Sequence, residues 1–293
     1  MKRSTQPAGN RASTVLGRKL GGELLRLRDA AGKTQQQAAA SINATGTKIV
    51  KMERGWVPMR DPDIRVLCEF YGLDDLKALA RLLELAKLDR DRRKAKGWWL
   101  NAPYAKGFVD FVSLEDGASR TRNWQVSLIP GLLQTAAYTR AMAVANPNWD
   151  DPDEIEVDVE VKQKRQRRLT GENPIQLHVV IWEAVLRQQT GGPSVMRGQL
   201  ERLLEVAEFP NVRLQVLPFR AGAHPAAAGS FCILSYAETG ALDVVECDTH
   251  TGIMWVENDE DCAYFGEVFD RVARLSLAPK DSITLIGSLY KES

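Results

Sequence analysis

Cysteine and histidine are scarce: there are four cysteines, Cys68, Cys232, Cys247 and Cys262, and three histidines in 293 residues. The cysteines are widely scattered and no Cys-x-x-Cys pair occurs, which excludes the zinc-ribbon and thioredoxin-like patterns that need ligands at short spacing. Cys247 and His250 stand three apart, a metal half-site by spacing, but no second pair completes it. The alternative is a small buried thiol and a surface imidazole. Disulfides are not expected, and neither is a metal or other cofactor. Also missing are a Gly-x-Ser-x-Gly elbow, a P-loop, a GxGxxG loop and an HExxH helix. The chain is therefore not expected to be an enzyme. Glu183 and Glu246 would form a catalytic carboxylate pair only if the fold brought them together, and nothing in the sequence fixes their distance. No apolar run approaches the roughly 18 residues that span a membrane. The first ten residues are polar and lack the apolar stretch of a signal peptide. The expected location is the cytoplasm, with no membrane partner.

What is present is an ordinary globular composition, 44% hydrophobic and 26% charged, in a chain long enough for two domains with sizeable cores. The charge is unevenly placed. Residues 1–100 hold 21 Lys/Arg against 11 Asp/Glu, while residues 101–293 hold 18 against 27. A net of about +10 followed by about −9 points to a polyanionic partner at the N-terminal end. The acidic remainder discourages nonspecific adhesion of the rest of the chain to DNA.

Residues 1–13 are polar and expected to be disordered. Five short helical patterns then follow one another. Leu16, Leu20, Leu24 and Leu27 mark the first, which Gly32 ends. Thr34 and Gln37 have capping-box spacing at the start of the second, which runs to about Ile42. Asn43, tolerant of the left-handed conformation, supplies the turn. Thr45 is placed to cap a third helix running to Arg54 and stopping at Gly55. Asp61 is placed to cap a fourth with Ile64, Leu67, Cys68 and Tyr71 inside. A fifth runs from Asp74 to about Arg93 with Leu76, Leu79, Leu83, Ala86 and Leu88, and its charged end, residues 89–96, reads as solvated. Gly97 and Pro103 mark a boundary. Residues 106–145 read as largely helical, broken at Pro130-Gly131. After a charged helix ending near Leu169 the period changes. Residues 176–181, 212–217, 231–236, 243–247 and 252–256 read as strands, the last three spaced like a meander, with a helix at 200–208 and two closing helices at 263–275 and 281–290. The expected fold class is α+β: an N-terminal all-α five-helix domain over 14–96, then a mixed helical and mainly antiparallel sheet domain over 97–293.

Two short helices joined by a three- or four-residue turn are the helix-turn-helix unit, whose second helix enters the major groove. Small Ala38 and Ala39 let the second helix approach the third, and Ile42, Ile49 and Met52 face a shared core. Gly46, Thr47, Lys48 and Lys51 are left on the outer face. Residues 32–39 and 45–55, with Gln35 opening one helix and Glu53-x-Gly55 ending the next, resemble the lambda-repressor-like, xenobiotic-response-element family over about residues 15–73. The resemblance implies a phosphate contact from Gln35, next to Thr34. Thr45 and Lys48 suit phosphate contacts that set register, and Thr47 and Lys51 suit reading of base edges. Where the family often has a polar base-reading residue this chain has Gly46, which offers only backbone. Glu53 reads as structural, pairing with an arginine.

Residues 123–138, 164–169, 183–186, 216–219 with Gly222, and 229–231 resemble the C-terminal domain of unknown function in a large actinobacterial group of such regulators. That resemblance implies a regulator or antitoxin-like protein paired with a small cognate protein encoded nearby. Trp124, Leu132, Gln134 and Tyr138, with Arg165, Arg168 and Glu183, are the candidate residues for a ligand or partner, plain core packing and a solvated helix face being the alternatives. The expected function is a sequence-specific transcriptional regulator bound to a double-stranded operator as a homodimer. It is expected to repress and to autoregulate, its C-terminal domain dimerising and sensing a small-molecule effector or protein partner. The alternative is an antitoxin-like protein whose main role is to hold the small cognate protein.

Overall fold

The structure, a computed structural model, describes residues 14–94, 106–146, 151–236, 243–250 and 252–293. The polar start at 1–13 and the boundary marked by Gly97 and Pro103 lie outside these. The chain divides into two compact units, one on each side of residues 96 and 97.

The N-terminal unit is all helical: α1 Val15–Ala30, α2 Gln35–Ser41, α3 Gly46–Glu53, α4 Asp61–Phe70 and α5 Leu76–Lys94. Local chemistry sets the helix starts. Thr14 caps α1 by accepting from Gly17 N. At α2 the reciprocal box forms: Gln37 N donates to Thr34 Oγ1 at 3.2 Å and Thr34 N donates to Gln37 Oε1 at 2.9 Å. Asn43 takes φ 50°, the left-handed turn before α3. The core is closed by Leu20, Leu24, Ile49, Met52, Ile64, Leu67 and Leu85, each at most 2% exposed.

Two sequence expectations shift here. Arg60, not Asp61, occupies the N-cap of α4, and Asp61 instead meets Arg90 at 2.8 Å. The inner face of α5 is Leu82, Leu85, Ala86 and Asp89, while Leu76 is 79% exposed. Of the charged run at 89–96, residues 95 and 96 lie outside the described residues and Asp91 is exposed, but Asp89 and Arg93 are drawn inward. Asp89 is fully buried and accepts from Thr14 Oγ1 and, at 2.8 Å, from Arg93 Nε. Arg93 also donates to Gly55 O at 2.8 Å, so the last turns of α5 hold the loop after α3.

The C-terminal unit is α+β. One six-stranded sheet, in the order β3-β2-β1-β4-β5-β6, is built from β1 Arg120–Gln125, β2 Gln176–Trp182, β3 Val212–Leu217, β4 Phe231–Ser235, β5 Val244–Thr249 and β6 Gly252–Val256. β1, β2 and β3 are parallel neighbours, and the pairs β1–β4, β4–β5 and β5–β6 are antiparallel. The sheet is therefore mixed and mainly antiparallel by pairing, and β4 to β6 form the expected meander. Its helices are α6 Lys106–Gly117, α7 Ala136–Val144, α8 Pro152–Arg165, α9 Glu183–Arg187, α10 Pro193–Ala207, α11 Asp259–Leu275 and α12 Pro279–Glu292. One sheet face buries Trp124, Val180, Leu217, Ile233 and Val245 with Phe269 and Val272 of α11.

The reading of 106–145 as helical fails at β1, a central strand. Its sequence has no apolar alternation because its polar side chains are satisfied within the sheet. Thr121 meets Cys232 Sγ at 3.1 Å, Arg122 donates to Asp243 at 2.6 Å, and Gln125 donates to Asn123 at 2.8 Å.

Candidate nucleic-acid interface

α2, the turn at residues 42–45, and α3 form the helix-turn-helix. Ala38 and Ala39 are buried beneath α3, small enough to let the two helices approach, and Ile49 and Met52 anchor α3 on the inside. Thr47 on the opposite face is exposed and Lys51 half-buried one turn on. Thr45 sits at the N-cap with extended backbone, yet its side chain makes no cap hydrogen bond, contrary to the expectation that it caps the helix. Its exposed hydroxyl remains available to a phosphate. At Gly46 a Cβ would meet nothing within 4 Å, so no steric demand selects glycine there.

The far end of α3 is fixed by a buried charge network. Arg28 Nε donates to Glu53 Oε1 at 2.5 Å, and Gln35 Nε2 donates to Glu53 Oε2 at 2.7 Å. Arg28 and Glu53 are 10% and 6% exposed in their side chains, so one carboxylate joins α1, α2 and α3 in a largely dry site. Glu53 is structural, and its carboxylate holds the Gln35 amide at the start of α2. The Glu53-x-Gly55 signature then has two physical causes. Gly55 takes φ +63°, and a Cβ on it would lie 2.3 Å from backbone atoms of Gly17 and Arg18. At Gly21 a Cβ would lie 2.4 Å from the carbonyl oxygens of Met52 and Glu53. α1 thus presses its backbone onto the last turn of α3.

Lys48 is placed differently from the sequence reading. Its Nζ donates to Asp63 Oδ2 at 2.8 Å, and Arg60 meets the same carboxylate at 3.1 Å. Burial opposes the charge on Asp63, but the hydrogen bonds from Lys48 and Arg60 prevail and hold the carboxyl below its ordinary value. Lys48 serves the α3–α4 junction, and a phosphate would have to share it with Asp63. The sequence reading also passed over Arg54. Its exposed guanidinium lies 4.9 Å over the Trp56 ring, three residues beyond Lys51 and seven beyond Thr47. Extending the outer stripe by one helical turn finds it.

The candidate partner residues of the C-terminal unit are mostly interior. Trp124, Leu132, Gln134 and Tyr138 are at most 4% exposed. Trp124 donates to Ala226 O at 3.0 Å, Gln134 donates to Ile129 O at 2.6 Å, and the Tyr138 hydroxyl accepts from Ile129 N at 3.2 Å. They lock the segment between β1 and α7 and form no surface. Arg165 is likewise interior, bidentate to Glu115 at 2.6 and 2.9 Å, with its guanidinium against Phe108 and Phe111. Glu183 accepts from Phe219 N and from Arg187, both within 2.9 Å. Arg168 donates to Asn173 O and Ala118 O. Arg165 and Arg168 also line a hollow of about 340 Å³ with Lys164 and Arg167, and Glu115, Asp116 and Glu172 share the lining. Glu183 and Glu246 are not brought together. β2 and β5 are three strand steps apart, roughly 14 Å at the usual spacing. Cys247 packs in the core, whereas His250 is exposed at the turn. Among the described residues no group of three His, Cys, Asp or Glu is placed to hold a metal, and no helix is long and apolar enough to cross a membrane.

Residues 19–82 match a family described as a helix-turn-helix domain. Residues 108–288, more than half of the chain, match a family described as a domain of unknown function, DUF5753. No curated protein and no solved structure matches the chain.

Proposed function

We propose, from the premise that the chain belongs to the DUF5753 family and carries a helix-turn-helix domain at its N-terminal end, that it is a sequence-specific transcriptional regulator of the xenobiotic-response-element type found in actinobacteria. The observation that carries this reading is the outer face of α3. Thr47, Lys51 and Arg54 share one helical stripe, and a buried carboxylate network fixes the end of that helix. Thr47 and Lys51 read base edges, Lys51 donating to guanine. Thr34, Gln35, Thr45, Arg54 and the backbone at Gly46 contact phosphate and set register. Lys48 joins them by sharing its ammonium group between Asp63 and a phosphate. The chain acts as a homodimer, because one module of this size buries too little surface for tight selective binding, and its proposed role is that of an autoregulating repressor. Its C-terminal unit dimerises and senses a signal, and has no catalytic role.

Retrieval of genomic fragments by the purified full chain at about 0.15 M salt, followed by sequencing, tests the reading, since that salt suppresses nonspecific phosphate binding. A two-fold-symmetric motif, including one upstream of the chain's own gene, is expected. Retained DNA without a shared motif would overturn the sequence-specific reading, and co-purification of a small protein would favour the antitoxin-like one.

A further inference from the structure

At the head of the three parallel strands, on the face covered by α11, four basic side chains lie close together. Neighbouring strands place Arg122, His178 and Arg213 in one register row, with Arg120 one step away on the same face. Arg120, His178 and Arg213 line a hollow of about 210 Å³ with Gln176, Leu177, Asn211 and Val212, and no carboxylate belongs to the lining. Asp243 neutralises Arg122 at 2.6 Å. The other two arginines have no such partner. Among the described residues Arg120 has no side-chain acceptor, and Arg213 has one, the amide oxygen of Gln215 on its Nε at 3.2 Å. Among the described residues the terminal guanidinium nitrogens of Arg213 thus have no hydrogen-bond partner.

Arg120 and Arg213 are exposed, and the surroundings fix the imidazole between them. Gln215 Nε2 donates to Leu277 O at 2.8 Å and Ala273 O at 3.3 Å, so its Oε1 is the accepting end. That oxygen lies 2.7 Å from His178 Nε2, which must carry the ring proton and donate. Phe269 stacks edge-on against the ring at 4.9 Å. Both Arg120 and Arg213 act electrostatically on His178, with Asp270 of α11 the opposing acid. Like charges gathered in one concavity repel, and a bound anion relieves that repulsion. The placement is also against the grain of the sequence, since residues 101–293 carry 27 acidic against 18 basic residues.

We propose that the hollow between Arg120, His178 and Arg213 is a binding site for a small oxyanion, a phosphate ester or a polycarboxylate. The guanidinium groups of Arg120 and Arg213, facing no carboxylate among the described residues of the lining, match the paired oxygens of either class. The volume lies below the roughly 300–1,000 Å³ of pockets that enclose drug-sized ligands. The larger hollow at Arg165 and Arg168 lacks this character because three carboxylates share its lining and Glu115 already holds Arg165 in a bidentate pair. The site stands on its own geometry and does not depend on DNA recognition.

The test is a titration of the isotope-labelled full chain with pyrophosphate and, separately, citrate, followed through the three histidine ring resonances. His224→Gln and His250→Gln assign the peaks. Sodium chloride at matched ionic strength is the control. The expected result is a saturable shift of the His178 resonance with one or both anions and none with chloride. The tighter of the two identifies the phosphate or the carboxylate class. Arg120→Gln and Arg213→Gln should each weaken binding about tenfold or more, and lysine at either position should restore part of it. No shift beyond chloride in the unaltered chain overturns the site, whatever the variants do. So does unchanged affinity in the folded double glutamine variant.

Discussion

At the scale of single residues, the side chains with the clearest chemistry are those that hold charge away from water or offer it to a partner. Lys51 is proposed to be of the second kind. As a base reader, Lys51→Ala should reduce binding to the operator by about 1–3 kcal/mol and binding to unrelated duplex by much less. Competition gel shifts with the two DNAs at one salt concentration measure both. Equal loss on each would make Lys51 a phosphate contact. Glu246 is of the first kind. It lies on β5 within the sheet, 7% exposed. Burial, then the neighbouring Asp248 through its charge and a hydrogen bond, push its carboxyl up to about 9, Arg165 opposing and Glu115 reinforcing. Its folded value is raised, so the unfolded chain loses this proton first as pH rises. The contribution of Glu246 to stability is therefore whole below its ordinary value of 4.5 and declines as pH rises toward about 9. The decline cannot exceed about 1.4 kcal/mol per pH unit. Glu246→Gln, which stays neutral, should raise the thermal midpoint at pH 8 and change it little at pH 4. The same gain at both pH values would mean that packing, not protonation, governs the site.

At the scale of elements, legibility followed solvent contact and periodicity. α1 to α4 could be read because each carries an apolar stripe, and α2 because its cap is written in Thr34 and Gln37. β2, β3 and β4 could be read because buried strands are nearly continuous apolar runs. β1 could not, since its polar side chains find partners only across the finished sheet. The end of α5 was misread for a related reason: Asp89 and Arg93 look solvated until Thr14 and Gly55, some 75 and 38 residues earlier in the chain, are brought to them. Trp124, Gln134 and Tyr138 form a recognisable sequence block, but recognisability did not distinguish a locked core from a surface. The contact of α1 with α3 was equally silent, because glycine marks it by having nothing there. Gly21→Ala tests it. In an open helix that change gains up to about 1 kcal/mol. Here the new methyl would meet two carbonyl oxygens at 2.4 Å, so a loss of about 1–3 kcal/mol is expected in chemical denaturation. A gain would mean that the two helices do not touch.

At the scale of the whole molecule, the division of charge and the division of labour should be separable in one experiment. Residues 1–100 are net basic by 10 charges and residues 101–293 net acidic by 9, so the full chain approaches DNA with almost no net charge. A fragment ending at residue 96 retains α1 to α5 and the core around Leu20, Ile49 and Leu67. Stripped of the acidic remainder, it should bind random duplex more tightly than the full chain, with the difference shrinking as salt rises toward 0.3 M and the Debye length falls below about 6 Å. On the operator the order should reverse. If the C-terminal unit supplies the dimer, two modules bind as one and the second engages at high effective concentration, which the fragment lacks. The two affinity curves should therefore cross between random and operator DNA, as read by fluorescence anisotropy on labelled duplexes of both kinds. A full chain weaker than the fragment on both DNAs would remove dimerisation from the C-terminal unit while leaving the helix-turn-helix reading intact. A full chain stronger on both would show that the acidic remainder does not repel DNA, and that net charge is a poor guide to the field around α3.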